Sequence, residues 1–298
     1  MLILDIYFPV LSMFRVLPVS VSVLQESRIK NHKNFINSTM VAVDDTPVYE
    51  TAIIIVSVTL VLFVIPVCIV LRMFSARIYD AVIIHMTETW YQDVFLKIGK
   101  RLQNKSDNNQ SYRLLDIGIG TATALIRRKE DVEALGIQVV GVDYDAGYVK
   151  AATQSIQENG LESQVEVHCC SIYEAKVVDE MITNKGKFDA AYFSGSFSLM
   201  PDPLKALQVA ASYVKTGGRI YISQTFQKRS VPCLSCAKPL MKYVTTIDFG
   251  KLFFETELED VLNEFCKGSN EYEIIENKKI PQSVDNRWQS ARSVVIQL

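Results

Sequence analysis

The sequence predicts an α/β protein in which helices cover both faces of a doubly wound, mostly parallel sheet. After residue 112, short apolar runs alternate with amphipathic helical patterns. Strands that are covered on both faces read as near-continuous apolar runs, so this alternation is typical of a doubly wound sheet. A long uncharged run earlier in the chain, from Ala52 to Leu71, predicts a transmembrane helix in front of this domain.

Seven apolar runs are the predicted strands of a seven-stranded sheet. Between them lie helical patterns such as Leu204, Leu207 and Ala211, which share one helix face. We expect the last two strands to pair antiparallel at one edge, because no helical pattern separates them. The runs are RLLDIGI (113–119), QVVGVDY (138–144), VEVHCC (165–170), FDAAYFS (188–194), RIYISQ (219–224), YEIIEN (272–277) and RSVVIQL (292–298).

These patterns divide the chain into four predicted segments. Residues 1–51 form an apolar and polar segment on the non-cytosolic side, and residues 52–71 form the transmembrane helix. Residues 72–111 form a helical segment and a polar linker, and residues 112–298 form the α/β domain. Within residues 1–24, Asp5 and Pro9 interrupt the apolar run, so a signal, an interfacial anchor, a second membrane segment and an incorrectly assigned start all remain open.

The uncharged run is about 20 residues long, which as a helix matches the ~30 Å hydrocarbon core of a bilayer. Pro66 is expected to kink this helix. The alternative is a buried core helix of the α/β domain.

Charges on the two sides of the run predict its orientation. Asp44, Asp45 and Glu50 come before it, whereas Arg72 and Arg77 follow it. The positive-inside rule therefore places the α/β domain in the cytosol.

Composition argues against nucleic-acid binding. The 298 residues include 31 Lys and Arg against 33 Asp and Glu, which leaves a net charge of -2 and no basic field for a phosphate backbone. Six cysteines in a chain of this length do not form a disulfide framework, so a reducing compartment is expected. Cys233 and Cys236 form one C-x-x-C, which we interpret as free thiols because a structural zinc site needs four ligands.

Two glycines follow the first predicted strand, in LLDIGIGTAT. In a doubly wound sheet, the turn after the first strand approaches the ligand most closely. Gly118 and Gly120 have no Cβ atoms to block that approach, and the next helix, from about Thr121, offers free N–H groups. The second strand ends at Asp143, where a carboxylate can accept hydrogen bonds from both ribose hydroxyls. The order of strand, glycine turn, helix, strand and terminal acid predicts a nucleoside-like ligand. The alternative is that Asp143 only caps the next helix.

The glycine pattern departs from dinucleotide binding and resembles another family. A dinucleotide motif would have a third glycine at position 123, which is Thr123. Instead, Asp116 before Gly118 and Gly120 resembles the first motif of class I S-adenosylmethionine-dependent methyltransferases. FDAAYFSGSFSLMPDP and VKTGGRIYIS also resemble segments of that family, most closely its small-molecule branch, and the resemblance covers about residues 112–225.

This resemblance implies roles for several residues toward S-adenosyl-L-methionine. Asp116 would stabilise the loop and the methionine amino group, and Asp143 would hold the ribose. Where the family often has an acid for the adenine amino group, this chain has Ser171. The residues implied in cofactor binding are Asp116, Gly118, Gly120, Thr121, Asp143, Tyr144, Ser171, Ile172 and Ser194, the last in a loop that runs to Leu199.

The resemblance implies an enzyme that uses no metal, since a sulfonium methyl is already activated. His85, Glu88 and His168 are the candidate general bases, and we assign the role to none of them. The leading hypothesis is a membrane-anchored methyltransferase acting on a small acceptor, with a lipophilic one favoured by the membrane helix. The alternatives are an NAD(P)-linked oxidoreductase on a Rossmann sheet and a non-catalytic membrane adaptor that retains the fold.

Overall fold

The structure of the protein, a computed structural model, describes residues 46–73, 84–103, 111–174, 176–230, 252–269 and 271–298. The predictions for residues 1–45 and for most of the linker lie outside the described residues. The same holds for Arg77 and for the C-x-x-C at Cys233 and Cys236.

The uncharged run is helical. Helix α1 (Thr46–Thr59) continues through a π-helical turn, Leu60–Val64, into helix α2 (Ile65–Met73). The π turn ends two residues before Pro66. Proline has no backbone N–H to donate, and its ring clashes with the carbonyl four residues earlier, so a regular helix cannot continue through it. Among the described residues, Glu50–Val67 is the one stretch that is long and apolar enough to cross a membrane, and none of it is buried. The alternative of a buried core helix is therefore wrong.

Seven strands form one sheet in the order β3-β2-β1-β4-β5-β7-β6, which confirms the predicted fold class. Strands β1 to β5 are parallel, and β7 runs antiparallel between β5 and β6. The expected antiparallel pairing of the last two strands is therefore confirmed. The strands are β1 (Tyr112–Ile117), β2 (Ile137–Asp143), β3 (Val165–Cys169), β4 (Phe188–Ser194), β5 (Val214–Gln227), β6 (Glu273–Lys279) and β7 (Gln289–Gln297).

Helices cover both faces of this sheet. One apolar core packs under α3, α4, α5 and α6, and the other packs under α7, α8 and α9. The helices are α3 (His85–Gln103), α4 (Thr123–Ile126), α5 (Lys129–Leu135), α6 (Ala146–Glu158), α7 (Lys176–Lys185), α8 (Pro203–Tyr213) and α9 (Glu255–Lys267).

Aspartates start two of the helices at the carboxyl edge of the sheet. Asp145 Oδ1 accepts hydrogen bonds from Gly147 N and Tyr148 N, at 2.8 and 3.1 Å, and so caps α6. Asp202 caps α8 through Lys205 N at 3.0 Å. Because α6 is capped by Asp145, the alternative that Asp143 serves only as its cap is wrong.

Helix α3 crosses the sheet from its carboxyl edge to its amino edge. Near its start, Tyr91 contacts the end of β1, and near its end, Arg101 donates to the carbonyl of Gly217 in the first part of β5. Tyr91, Val94, Phe95 and Ile98 are buried against the sheet. The chain therefore enters the α/β domain at the edge where parallel strands end.

Candidate functional site

The turn after β1 brings two predicted glycines to the carboxyl edge, with different surroundings. Gly118 and Gly120 both have positive φ, at +76° and +61°. A Cβ on Gly118 would lie 2.4 Å from the Cβ of Ser196, whereas a Cβ on Gly120 would meet no atom within 4 Å. Gly118 therefore makes room for Ser196 of the protein itself, and Gly120 leaves the space above the turn open.

The helix after this turn starts later than predicted. Ala122 has φ +57°, in the left-handed region that few residues other than glycine adopt, so α4 begins at Thr123 instead of Thr121. Thr121 lies in the turn, where its hydroxyl is 2.9 Å from the hydroxyl of Thr123. The left-handed Ala122 is the physical reason for the shift.

Asp143 joins the end of β2 to this turn. Its Oδ2 accepts a hydrogen bond from Gly120 N at 2.9 Å, and its Oδ1 accepts one from Asp145 N at 2.9 Å. Burial raises the pKa of the Asp143 carboxyl, and the backbone hydrogen bonds from Asp145 and Gly120 oppose that rise. A carboxylate has about four acceptor positions, so Asp143 keeps acceptor capacity beyond these backbone hydrogen bonds.

Asp116, at the end of β1, is fully enclosed. Tyr91 Oη donates a hydrogen bond to Asp116 Oδ2 at 2.5 Å, and Asp116 Oδ1 is buried with no hydrogen-bond partner among the described residues. Burial raises the pKa of the Asp116 carboxyl to about 7, against the hydrogen bond from Tyr91, which lowers it. The carboxyl therefore has an unused acceptor beside the turn.

Buried hydroxyl groups lie next to the Asp116 carboxyl, on β4 and β5. Tyr192 lies opposite Asp116 in the sheet register, and its ring packs edge-on against Tyr91 with centroids 5.1 Å apart. The hydroxyl groups of Tyr192, Ser194 and Ser223 are buried together. Ser194 thus ends β4 within a cluster of buried hydroxyl groups.

The loop after β3 brings Ser171 and Ile172 to the same edge. Cys170 N donates to the carbonyl of Asp143 at 2.9 Å, which fixes the loop beside the end of β2. Ser171 is exposed and its Oγ accepts from Tyr173 N at 3.4 Å, while Ile172 is buried. Tyr144, next to Asp143, is 74% exposed.

The loop after β4 is fastened to β5 by a buried pair. Ser198 N donates to Gln224 Oε1 at 3.1 Å, and Gln224 Nε2 donates to Ser198 Oγ at 2.6 Å. On the other side of the loop, a Cβ on Gly195 would lie 3.0 Å from the Trp90 ring. The loop is therefore held between β5 and the start of α3.

The contacts of the three candidate bases do not single out any of them for proton transfer. Glu88 Oε2 lies 3.5 Å from Arg127 Nη1, and His168 Nε2 lies 3.0 Å from Glu166 Oε1. His85 is an exposed residue at the start of α3. The structure provides no reason to assign the base among them.

Comparisons with known proteins agree with this geometry. A family model described as a methyltransferase domain matches residues 108–280, more than half of the chain. The chain belongs to this methyltransferase family.

Individual relatives are more distant. A phosphatidylethanolamine N-methyltransferase of Cereibacter sphaeroides is 24% identical over 146 residues, which is 49% of this chain and 66% of that protein. A ubiquinone biosynthesis O-methyltransferase of Xanthomonas campestris pv. campestris is 31% identical over 112 residues, covering 37% of this chain and 42% of that protein. The matched part of the chain thus covers less than two thirds of the length of these curated relatives.

A solved structure shows the same fold. An O-methyltransferase family protein from Burkholderia thailandensis superposes with a TM-score of 0.50 at 15% identity, over 74% of this chain and 58% of that one.

The methyltransferase site fits S-adenosylmethionine on two observations. The open space above Gly120 leaves room for a ligand to reach the backbone of the turn. The unpaired Oδ1 of Asp116 and the spare acceptor positions of Asp143 suit an ammonium group and ribose hydroxyls, respectively. Gly120, Asp116 and Asp143 are the residues that would hold the cofactor.

A separate groove of about 460 Å³ lies at the opposite, amino edge of the methyltransferase sheet. It is lined by residues that include Arg113, Gln138, Glu166 and Lys185. None of the predicted cofactor residues borders this groove.

Sequence reasoning missed Tyr91, Ser196 and the pair formed by Ser198 and Gln224. Tyr91 and Ser196 reach the methyltransferase turn from other elements, and Ser196 Oγ also donates to the carbonyl of Ile117. The repeated serines of SGSFS were the available signal for Ser196 and Ser198. No sequence signal pointed to Tyr91, because its contact with Asp116 depends on how α3 packs against the sheet.

Proposed function

We propose that the chain is a membrane-anchored methyltransferase that transfers a methyl group from S-adenosyl-L-methionine to a small, lipophilic acceptor. The observation that carries this proposal is the Asp143 carboxylate, hydrogen-bonded to Gly120 N at 2.9 Å beneath an open turn. Membership of the methyltransferase family favours this activity over the NAD(P)-linked oxidoreductase.

The side chains of the site bind and orient the reactants. S-adenosylmethionine supplies an activated sulfonium methyl when it is bound. When the cofactor is bound, Asp143 would accept hydrogen bonds from the ribose hydroxyls, and Asp116 would accept one from the amino group. Tyr144, Ser171 and Ile172 would border the adenine, and Ser194 and its loop would flank the reacting centre. Orientation and exclusion of water then account for most of the rate acceleration.

Two observations support a lipophilic acceptor. Leu199, at the end of the loop after β4, is 43% exposed at the carboxyl edge. The names of two relatives refer to phosphatidylethanolamine, which is a membrane lipid, and to ubiquinone biosynthesis. An enzyme anchored in the membrane lies next to lipophilic acceptors, because these dissolve in the bilayer.

The exposed apolar helix supports the membrane anchor. Ile53 and Phe63 are each 65% exposed on a helix that is long enough to cross a bilayer. With Asp44, Asp45 and Glu50 before the span and Arg72 after it, the proposed topology is single-pass with a cytosolic α/β domain.

Calorimetric titration of the detergent-solubilised full chain with S-adenosylhomocysteine tests the proposed activity. We expect saturable binding, with no binding of NADH or NADPH in matched titrations. Folded protein that binds no S-adenosylhomocysteine would support the adaptor alternative and overturn the methyltransferase.

A further inference from the structure

A cluster of cations with one tryptophan lies at the end of β5 and in the loop between β6 and β7. Lys228 N donates to the carbonyl of Trp288 at 2.8 Å, which joins the two segments. We call this cluster the basic tryptophan patch; it consists of Lys228, Arg229, Lys279, Asp285, Arg287 and Trp288.

The patch carries an excess of positive charge. Lys228 and Lys279 both pair with Asp285, at 2.5 and 2.7 Å, so one carboxylate serves two ammonium groups. Arg229 and Arg287 are exposed and form no ion pair with any described residue. Among the described residues of the patch, four cations accompany one carboxylate, and such an excess of positive charge attracts anions.

The backbone of Trp288 and a neighbouring cation hold contacts within this surface. Asn286 Oδ1 accepts from Trp288 N at 2.8 Å, and the Arg287 guanidinium lies 4.6 Å from the centre of the Trp288 ring. Tryptophan and arginine together are typical of surfaces that lie at the boundary between lipid and water.

The patch lies at the edge where the chain arrives from the proposed membrane helix. Trp90, near the start of α3, donates to Ser283 Oγ at 3.1 Å and packs with Ile280, so the loop between β6 and β7 touches the start of α3. The chain from residue 73 to residue 84 spans at most roughly 40 Å at full extension. This length sets an upper limit on the distance between the end of the proposed membrane helix and the start of α3.

We propose that the basic tryptophan patch binds the anionic lipid surface of the membrane that holds the anchor. This inference rests on the proposed function, since it requires the membrane anchor. Gly120 and Asp143 lie at the same carboxyl edge of the sheet as the patch. Docking would hold the open turn against the bilayer, where a lipophilic acceptor can enter from the lipid.

Fluorescence quenching in reconstituted vesicles tests the proposal. The sequence has 2 tryptophans, of which Trp90 is only 2% exposed, so Trp288 reports contact with lipid. The full chain is reconstituted into phosphatidylcholine vesicles with brominated acyl chains, with and without phosphatidylserine. With phosphatidylserine we expect loss of about half of the emission, because one of the two tryptophans lies at the interface. Without it, the loss should be much smaller.

Variants identify the residues responsible. Trp288→Phe should abolish the quenching, and Arg229→Gln with Arg287→Gln should reduce it to the level without phosphatidylserine. Lys185→Gln with Lys187→Gln, a matched pair of exposed lysines at the amino edge, should leave the quenching unchanged. Equal quenching in the arginine double variant would overturn the proposal.

Flotation of the vesicles and S-adenosylhomocysteine binding separate this proposal from the proposed function. Protein that floats with the vesicles and binds S-adenosylhomocysteine, yet shows no quenching of Trp288, overturns the docking surface alone. Protein that does not float overturns the anchor on which the docking surface depends.

Discussion

Tyr91 donates a 2.5 Å hydrogen bond to Asp116 Oδ2 and so joins α3 to the end of β1. Both side chains are buried, and the second oxygen of Asp116 has no partner among the described residues. An ionised carboxylate with a single donor is costly to bury, which is why its pKa rises to about 7. The proposed cofactor site therefore contains a carboxyl whose pKa lies near neutral pH.

The free energy of unfolding should fall as the pH rises from about 4 to about 7. Unfolded Asp has a pKa near 3.9, so in this window the folded chain binds more protons than the unfolded chain. The loss of stability is on the order of 4 kcal/mol when the pH has passed the folded pKa. Urea unfolding of the detergent-solubilised chain at several pH values in this window measures it.

Asp116→Asn should remove this part of the pH dependence, because the amide does not titrate. Asp143, whose pKa is also raised by burial, remains in the variant and contributes a decline of the same sign. Wild type and Asp116→Asn with parallel stability profiles between about pH 4 and about pH 7 would contradict the assignment to Asp116.

Alanine at the two glycines of the turn should have different main effects, on stability at Gly118 and on cofactor affinity at Gly120. Gly118→Ala places a Cβ 2.4 Å from Ser196 Cβ at a φ of +76°, so the chain should lose about 3 kcal/mol of stability. Gly120→Ala meets no atom within 4 Å and should lose only about 1 kcal/mol, while S-adenosylhomocysteine binding weakens strongly because the methyl group fills the open space.

Denaturation midpoints and calorimetry separate the two effects. Adding Ser196→Gly to Gly118→Ala should restore part of the lost stability, since it removes the side chain that the new Cβ meets. Unchanged cofactor affinity in Gly120→Ala would show that the turn does not approach the ligand.

Asp143 and Asp145 provide a matched pair for the ribose contact. Asp143→Asn should weaken S-adenosylhomocysteine binding roughly 10-fold or more, as expected for hydrogen bonds to a charged group. Asp145→Ala removes the cap of α6, so it should lower stability by about 1 kcal/mol with little effect on affinity. Equal losses of affinity in the two variants would argue against a ribose contact of Asp143.

Gln224→Leu should loosen the loop after β4. The substitution leaves the buried N–H and hydroxyl of Ser198 without partners, which costs on the order of 1–3 kcal/mol. We expect weaker acceptor binding, measured as a higher KM, with S-adenosylhomocysteine affinity nearly unchanged. Gln227→Leu is the control, because Gln227 is equally buried but bonds to Gln289 instead of the loop.

The strands were predictable where burial on both faces produces continuous apolar runs, as in β1, β2 and β4. Strand β5 was predicted as 219–224 but extends to Gln227, because its ladder with β7 continues to the pair Gln227 and Gln289. Gln224 and Gln227 hid this extension, since buried amides that bond to Ser198 and Gln289 read as polar surface in a sequence.

The site was predictable where chemistry is local in the chain. Gly120 and Asp143 belong to a strand, turn and strand order that the sequence displays directly, and the structure joins them by a hydrogen bond. Tyr91 and Ser196 depend on packing between distant elements, which no spacing rule reports. The predicted start of α4 was wrong because Ala122 adopts a left-handed backbone conformation, which an alanine does not show in the sequence.

The order of strands at one edge of the sheet has a consequence for folding. Strand β6 has a single neighbour in the seven-stranded sheet, β7, and β7 follows it in the chain. During folding, the facing edges of β5 and β6 therefore stay unpaired until β7 inserts between them. This part of the fold is assembled by insertion of a late strand instead of growth from one end, so two sheet edges are open to other chains until that strand is in place.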